Sequence, residues 1–279
     1  MGYKEEVLEC WTVLAAASQL SERLRLGTLV LNVNHRSPAL LAKMAATLDV
    51  RSNGRLELGL GAGWRGSEQL SYGMPWTPST KLRIERLIEA VEIIRGMWTT
   101  DHFSYSGRYY SVTNAICRLA PLQKPHPRIW LGGSGERVVL RAVAEFADGW
   151  NVGEIPPEDY ARKLQVLRSH CQEVGTNFER MEKSLETVVL ISDKEEELHR
   201  VVDWSNWFAG IQSETKEMKP AKGDLSNMKY QYVLGSVREV TDRIADYIHA
   251  GVQQFMMYFL YYPTKKSMTS FAKDVIPSL

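Results

Sequence analysis

Arg55-Leu56-Glu57-Leu58-Gly59-Leu60-Gly61-Ala62-Gly63-Trp64 is the stretch on which the fold turns. It reads as a buried strand that opens into glycines, and Asn53-Gly54 just before it is a turn dipeptide. Leu56, Leu58 and Leu60 alternate, with Gly59 and Gly61 opposite them. Another backbone or a flat ligand can approach closely on that bare face. In α/β proteins a strand with such a carboxyl end is where cofactors are held. Gly61-Ala62-Gly63-Trp64-Arg65-Gly66 also matches the GxGxxG dinucleotide fingerprint. That fingerprint requires a long helix opening at the glycines and an acidic residue about 20 positions on. Tyr72-Gly73-Met74-Pro75 breaks the chain first, and the next long helix begins near Pro78, so the match is read as accidental.

Working outward, Leu24 to Asn32 reads as a strand, and Ser37-Pro38 starts a helix to about Val50, with serine as N-cap and proline at the first position. Glu5 to Ser18 is expected to be a helix with Val7, Cys10, Trp11, Leu14 and Ala15 on one face. Beyond the central stretch, a helix from Pro78 to about Trp98 leads to a small hairpin at 103–112. Arg128 to Leu131 is a short buried strand that runs into Gly132-Gly133-Ser134-Gly135, and a helix follows to about Ala147. Strands at 149–152, 185–192 and 252–260 alternate with helices at 157–174, 194–208 and 236–250. Residues 211–227 show no pattern, and a short terminal helix follows Pro263. Ser236-Val237-Arg238-Glu239 is a capping box. Six strands separated by helices imply a parallel sheet flanked by helices, as an open doubly wound sheet or a (β/α)8 barrel.

Composition narrows the function classes. The 279 residues suit one large domain or two small ones. A net charge of +1 gives no electrostatic case for nucleic acid or an anionic membrane. Cys10, Cys117 and Cys171 lie far apart, without metal-ligand or disulfide spacing, which fits a reducing cytoplasm. The six histidines are scattered and no metal-binding pair emerges. No apolar run reaches membrane-spanning length, and the N-terminus has no signal-peptide pattern.

In both architectures ligands sit at the carboxyl ends of the strands. Those ends carry Asn32-Val33-Asn34-His35-Arg36, Gly63-Trp64-Arg65, Gly132-Gly133-Ser134-Gly135 and Gly153-Glu154. Gly132 to Gly135 is the clearest phosphate candidate, because glycines expose backbone N–H groups, Ser134 adds a hydroxyl and a helix N-terminus follows. An ordinary strand-to-helix turn is the alternative. His35 is the one histidine at a strand end, and Trp64 can wall a pocket or shield a rim. Glu57 and Arg25 sit in otherwise apolar strands and are expected to pair across the sheet.

Leu26-Gly27-Thr28-Leu29-Val30-Leu31, Arg36-Ser37-Pro38-Ala39-Leu40-Leu41-Ala42-Lys43, Ala45-Ala46-Thr47-Leu48-Asp49 and Gly54 through Trp64, in that order, resemble the luciferase-like monooxygenase superfamily. They look most like its branch using the deazaflavin coenzyme F-420. Ile129-Trp130-Leu131-Gly132-Gly133-Ser134-Gly135 and Ala147-Asp148-Gly149-Trp150 extend the likeness, which is dense from 20 to 152 and thin from 193 to 230. The resemblance implies a single luciferase-like (β/α)8 barrel domain over 1–279. Its six strands correspond to the third through eighth, with no counterpart of the first two strands and first helix.

By the same resemblance Asn32 touches the cofactor ring from a bulged strand end, with a non-proline cis peptide near Leu31-Asn32. Ala62 and Gly63 meet the cofactor, and Gly132, Gly133, Ser134 and Gly135 hold its phosphate. His35 and Trp64 are assigned to the substrate pocket. Trp64 stands where some relatives place an acidic catalytic residue, so no catalytic residue is assigned. The implied activity is hydride transfer with coenzyme F-420 on a small organic substrate, in a cytoplasmic enzyme forming a homodimer. The alternatives are an FMN-dependent monooxygenase, or a non-catalytic short barrel that binds flavin weakly or serves as an assembly partner.

Overall fold

The computed structural model describes residues 8–199, 225–260 and 265–279. The first residues of the opening helix, most of the helix expected at 194–208, most of the patternless 211–227 stretch and Pro263 lie outside them. The chain forms two compact units. Among the described residues, one holds 8–63 together with 72–132 and 146–148; the other holds 64–71, 133–145, 149–199, 225–260 and 265–279.

In the first unit, β2 (Leu56–Gly61) lies between β1 (Leu26–Asn32) and β5 (Arg128–Gly132), and both pairings are parallel. Its leucines explain the position: Leu56, Leu58 and Leu60 have no solvent exposure. Each such leucine contributes about 1.5–3 kcal/mol relative to exposure. The helices α2 (Pro38–Arg51) and α4 (Thr80–Thr99) bury Leu41, Ala45, Leu48, Leu87, Val91 and Ile94. The Trp98 indole N–H donates to the Ala42 carbonyl oxygen at 2.9 Å and ties α4 to α2. A hairpin of β3 (Phe103–Ser106) and β4 (Ser111–Ala115) follows α4, near its expected place.

The amino-terminal end of β2 carries a polar anchor. Glu57 pairs with Arg25 and lies 3.6 Å from Arg128. It also accepts the Trp130 indole N–H at 2.8 Å. The Arg25–Glu57 pairing expected from the sequence is therefore present.

In the second unit, the ten-residue β7 (Glu182–Ile191) is central. It pairs in parallel with β6 (Gly149–Gly153) and with β9 (Gln254–Phe259), and its carboxyl end pairs with β8 (Val233–Gly235). Helix α6 (Pro157–Val174) buries Tyr160, Leu164, Leu167 and Cys171. A short helix, α7 (Leu225–Gln231), leads into β8 and buries Met228. Helix α8 (Val237–Ala250) opens on the expected capping box: Ser236 accepts the Glu239 amide, and the Glu239 carboxylate accepts the Ser236 amide.

Three local expectations differ. Helix α1 (Cys10–Ala17) buries Trp11 alone, because the other described residues of its expected face stay accessible. Ser37 occupies the N-cap position of α2 without a side-chain cap bond. Helix α3 (Gly66–Ser71) and the three-residue β8 are too short for periodicity to reveal. No helix among the described residues is long and apolar enough to cross a membrane.

Candidate functional site

The carboxyl ends of β1, β2 and β5 meet in the first unit. Register shifts between Thr28 and Leu31, where three steps on β1 match two on β2, so one residue bulges out. The cis peptide lies inside that bulge, at Leu29–Val30 rather than near Leu31–Asn32. Pairing resumes with Leu31, and Asn32 stands beside Gly61.

The bulge explains the glycines of β2. A Cβ on Gly59 would strike the Thr28 carbonyl oxygen, while the Thr28 hydroxyl donates to the Gly59 carbonyl at 2.7 Å. A Cβ on Gly61 would lie 2.5 Å from one Val30 methyl, and a Cβ on Gly132 would lie 2.9 Å from the other. Val30 is thus seated between two glycines, with 40% of its surface open. It presents a stiff apolar knob at the strand ends.

Asn32 is fixed beside it. Its side-chain oxygen accepts the Asn34 amide N–H at 3.0 Å, and its Nδ2 lies 3.2 Å from His35 Nε2. With the oxygen committed to an N–H, Nδ2 is the donor and His35 Nε2 the acceptor. That assignment places the proton of a neutral imidazole on Nδ1. Asn34 bridges onward to the Ala62 carbonyl oxygen at 3.4 Å. Gly63, at φ +73°, packs against the Asn32 amide, and a Cβ there would come within 2.5 Å of it. Asn32, His35, Ala62, Gly63 and Gly132 all belong to this unit. Val30 and Asn34 join them, and the sequence reading did not single these out. Only the repeated asparagines of Asn32-Val33-Asn34 hinted at Asn34.

The second unit holds the Gly133-Ser134-Gly135 loop. Gly133, at φ +138°, donates to the Asn151 carbonyl oxygen at 3.0 Å and accepts the Trp150 indole N–H at 2.9 Å. A Cβ on Gly133 or Gly135 would press on Val139 at 3.0 or 3.2 Å. A turn at 136–138 separates the glycines from α5 (Val139–Phe146), so the helix begins later than expected. Ser134 and Gly135 are exposed.

Trp64 lies in this unit, 42% exposed, with the Arg65 guanidinium 5.2 Å over its ring. It therefore does not share a unit with His35. Two carboxylates complete the picture: Glu154, which the sequence placed at a strand end, and Glu186, which it did not single out. Glu154 follows β6 with φ +57°, and its amide donates to the Glu186 carbonyl oxygen at 3.3 Å. Both side chains reach solvent, yet close-packed surroundings push both carboxyls up. Glu154 is raised further by the charge of Glu186. Among the described residues no group of three His, Cys, Asp or Glu side chains is placed to hold a metal.

Comparison with known proteins gives these arrangements a context. The model of the luciferase-like monooxygenase family matches residues 1–254. The phthiodiolone/phenolphthiodiolone dimycocerosates ketoreductase of Mycobacterium tuberculosis is 36% identical over 171 residues, covering 60% of this chain and 43% of that protein. The chain thus spans less than half the length of that relative. The FMNH(2)-dependent dimethylsulfone monooxygenase of Pseudomonas putida is 28% identical over 268 residues, covering 86% of this chain and 70% of that protein. An F420-dependent secondary alcohol dehydrogenase, solved with an F420-acetone adduct, superposes with a TM-score of 0.86 at 18% identity, covering 99% of this chain and 86% of that one. That likeness settles the architecture in favour of the (β/α)8-barrel type over an open doubly wound sheet.

Proposed function

The chain belongs to the luciferase-like monooxygenase family, and from that premise we propose that it is an oxidoreductase acting by hydride transfer with coenzyme F-420 on a small organic substrate. The observation that carries this reading is the seat around Val30. An apolar, half-exposed side chain is held between Gly61 and Gly132, beside the fixed amide of Asn32 and the bare backbone of Gly63. A flat ring fits such a seat: no side chain projects from the glycines, Val30 offers an apolar surface and Asn32 offers a polar edge. When bound, a deazaflavin supplies or accepts the hydride, and the protein contributes binding and orientation. In this reading Ala62 and Gly63 lie along the ring. Within the second unit, the exposed Ser134 and Gly135 hold the phosphate through backbone N–H groups, while the Gly133 N–H stays bonded to Asn151 and shapes the loop. His35, hydrogen-bonded to Asn32 in the first unit, faces the substrate.

The ketoreductase relative supports carbonyl–alcohol chemistry. A second reading, FMN-dependent oxygenation, is favoured by the longer match to the dimethylsulfone monooxygenase. A homodimer through α1 and α2 is supported by the groove of about 390 Å³ between them, lined by Trp11, Ala15, Met44 and Leu48. The free cysteines support a cytoplasmic setting.

The test is titration with F-420, FMN and NAD in parallel, followed by fluorescence. Saturable F-420 binding that weakens when Gly133 and Ser134 carry bulky side chains supports the reading. FMN as the tighter ligand moves the chemistry toward oxygenation. A folded protein that binds none of the three overturns it in favour of a non-catalytic barrel.

A further inference from the structure

Around the Gly133-Ser134-Gly135 loop the second unit carries a set of charges that the loop's own backbone does not need. Lys163 of α6 has only 11% of its side chain exposed. Its ammonium donates to the Ser134 carbonyl oxygen at 2.8 Å and to the Glu136 carboxylate at 3.0 Å. Arg162, the neighbouring residue on α6, reaches the same Glu136 oxygen while also bonding Asp159 at 2.9 Å. His170, two turns further along α6, lies 2.9 Å from the Glu136 carbonyl oxygen and holds that residue by its backbone. One loop carboxylate therefore receives two cations from one helix, directly after the exposed backbone of Ser134 and Gly135.

We propose that Lys163 and Arg162 are the cationic half of an anion site completed by the Ser134 and Gly135 backbone, and that Glu136 occupies this site as an internal anion until a phosphoryl group displaces it. The proposal rests on the cofactor reading above and extends it. It names the side chains that discriminate a phosphorylated ligand from its phosphate-free form.

Glu136 offers a single negative charge and two oxygens. A phosphate monoester such as that of FMN carries about −1.5 to −2 near neutral pH and three acceptor oxygens, whereas a phosphodiester such as that of F-420 carries one charge and competes with Glu136 on equal terms. The monoester satisfies both cations and still accepts from backbone N–H groups. The hydrogen bonds from Arg162, then Lys163, hold the Glu136 carboxyl below its ordinary range, so the internal anion stays charged and competes at neutral pH. When the phosphoryl group binds, Glu136 swings toward solvent, where 35% of its side chain already lies.

The experiment compares FMN, riboflavin and F-420 by fluorescence titration against the wild type, Glu136→Gln, Arg162→Gln and Lys163→Met. Glu136→Gln removes the competitor and is expected to tighten both ligands, FMN and the singly charged F-420, by about three- to tenfold. Arg162→Gln and Lys163→Met are expected to weaken them by about tenfold, with riboflavin unchanged in every variant because it lacks the phosphate. Arg162 is 53% exposed, so its variant folds even if the Lys163 variant does not. Circular dichroism checks this. FMN or F-420 binding by the wild type that is indifferent to Glu136 and Arg162 overturns this inference and leaves the cofactor reading intact. A parallel loss of riboflavin and FMN affinity in Arg162→Gln also overturns it. Failure of the wild type to bind any of the three ligands overturns the cofactor reading and this inference together.

Discussion

Val30 and Gly61 form a pair whose coupling can be measured. Gly61→Ala places a methyl group 2.5 Å from one Val30 methyl, about 1 Å inside ordinary contact. Val30 cannot turn away cheaply: its other methyl already faces Gly132, where an added Cβ would lie at 2.9 Å. β-Branching leaves it few other rotamers. The strain falls on the side chain and the bulge, at about 1–3 kcal/mol for a single excess methyl in a packed site. Val30→Ala alone removes two methyl groups from a 40% exposed position. It costs less than about 1 kcal/mol. In the double variant the methyl added at position 61 occupies space the valine has left. The double variant is therefore expected to be more stable than Gly61→Ala alone, with a favourable coupling of at least about 1 kcal/mol. Urea unfolding of the four proteins, followed by tryptophan fluorescence, measures this. Additivity within about 0.5 kcal/mol would refute the argument that Gly61 is a glycine in order to seat Val30.

Other residues give sharper local tests. Glu57→Ala leaves the Trp130 indole N–H and two arginines without their shared acceptor. It is expected to cost about 2–3 kcal/mol in urea unfolding, and a loss below about 0.5 would show the anchor to be idle. Gly133→Ala forces a side chain onto φ +138° and against Val139, so FMN or F-420 affinity is expected to fall at least about tenfold while the fold survives. The Glu239 carboxyl is held at about 2 by hydrogen bonds from Lys229 and Ser236. Its contribution is complete above the ordinary value of 4.5 and is lost as pH falls toward 2. Because the side chain is 52% exposed, screening limits that contribution to about 1 kcal/mol. Glu239→Gln should therefore flatten the acid limb of an unfolding-versus-pH curve, and an unchanged limb would count against the capping box as its source. Burial, and then Glu186, push the Glu154 carboxyl up, the opposite sign. The wild type is favoured below the ordinary carboxylate range and loses that advantage as pH rises from there through the folded value. Glu154→Gln should then be stabilised relative to wild type at about pH 8 and not at about pH 4. Equal differences at both pH values would contradict the shift.

The strand at the centre was legible because its pattern is local. Alternating leucines and glycines define a buried face and a bare one without knowledge of any neighbour. What approaches the bare face was not legible. Close approach by a backbone or by a flat ligand fits the sequence equally, and the choice depends on the one-residue slip between Thr28 and Leu31. That slip brings the Thr28 carbonyl over Gly59 and Val30 over Gly61. Likewise the glycines at 132–135 announced a loop that can cradle an anion, but not its cations. Arg162 and Lys163 lie on a helix whose periodicity reports an apolar face toward the sheet and says nothing of where its polar residues reach. Glu154 was legible as the end of a strand, through Gly153-Glu154, but its left-handed backbone and its neighbour Glu186 were not, because both depend on how β6 pairs with β7.

The glycines of the candidate site thus answer to two different demands. Gly63 and Gly133 adopt positive φ, where another residue would strain the backbone itself. Gly59, Gly61 and Gly132 do not, and they are glycines because a neighbouring segment already fills the space of a Cβ. The two kinds respond differently to substitution. A residue of the second kind can be rescued by trimming the neighbour it strikes, when that neighbour is a side chain such as Val30. One of the first kind cannot, because no partner relieves its dihedral strain. Gly59, struck by the Thr28 backbone, falls between them: its defect is one of space, yet no side-chain substitution can clear it. Alanine at position 59 should therefore resist rescue by every change at Thr28, whereas alanine at position 61 yields to Val30→Ala. That contrast follows from the bulge alone and holds whichever cofactor the seat accepts.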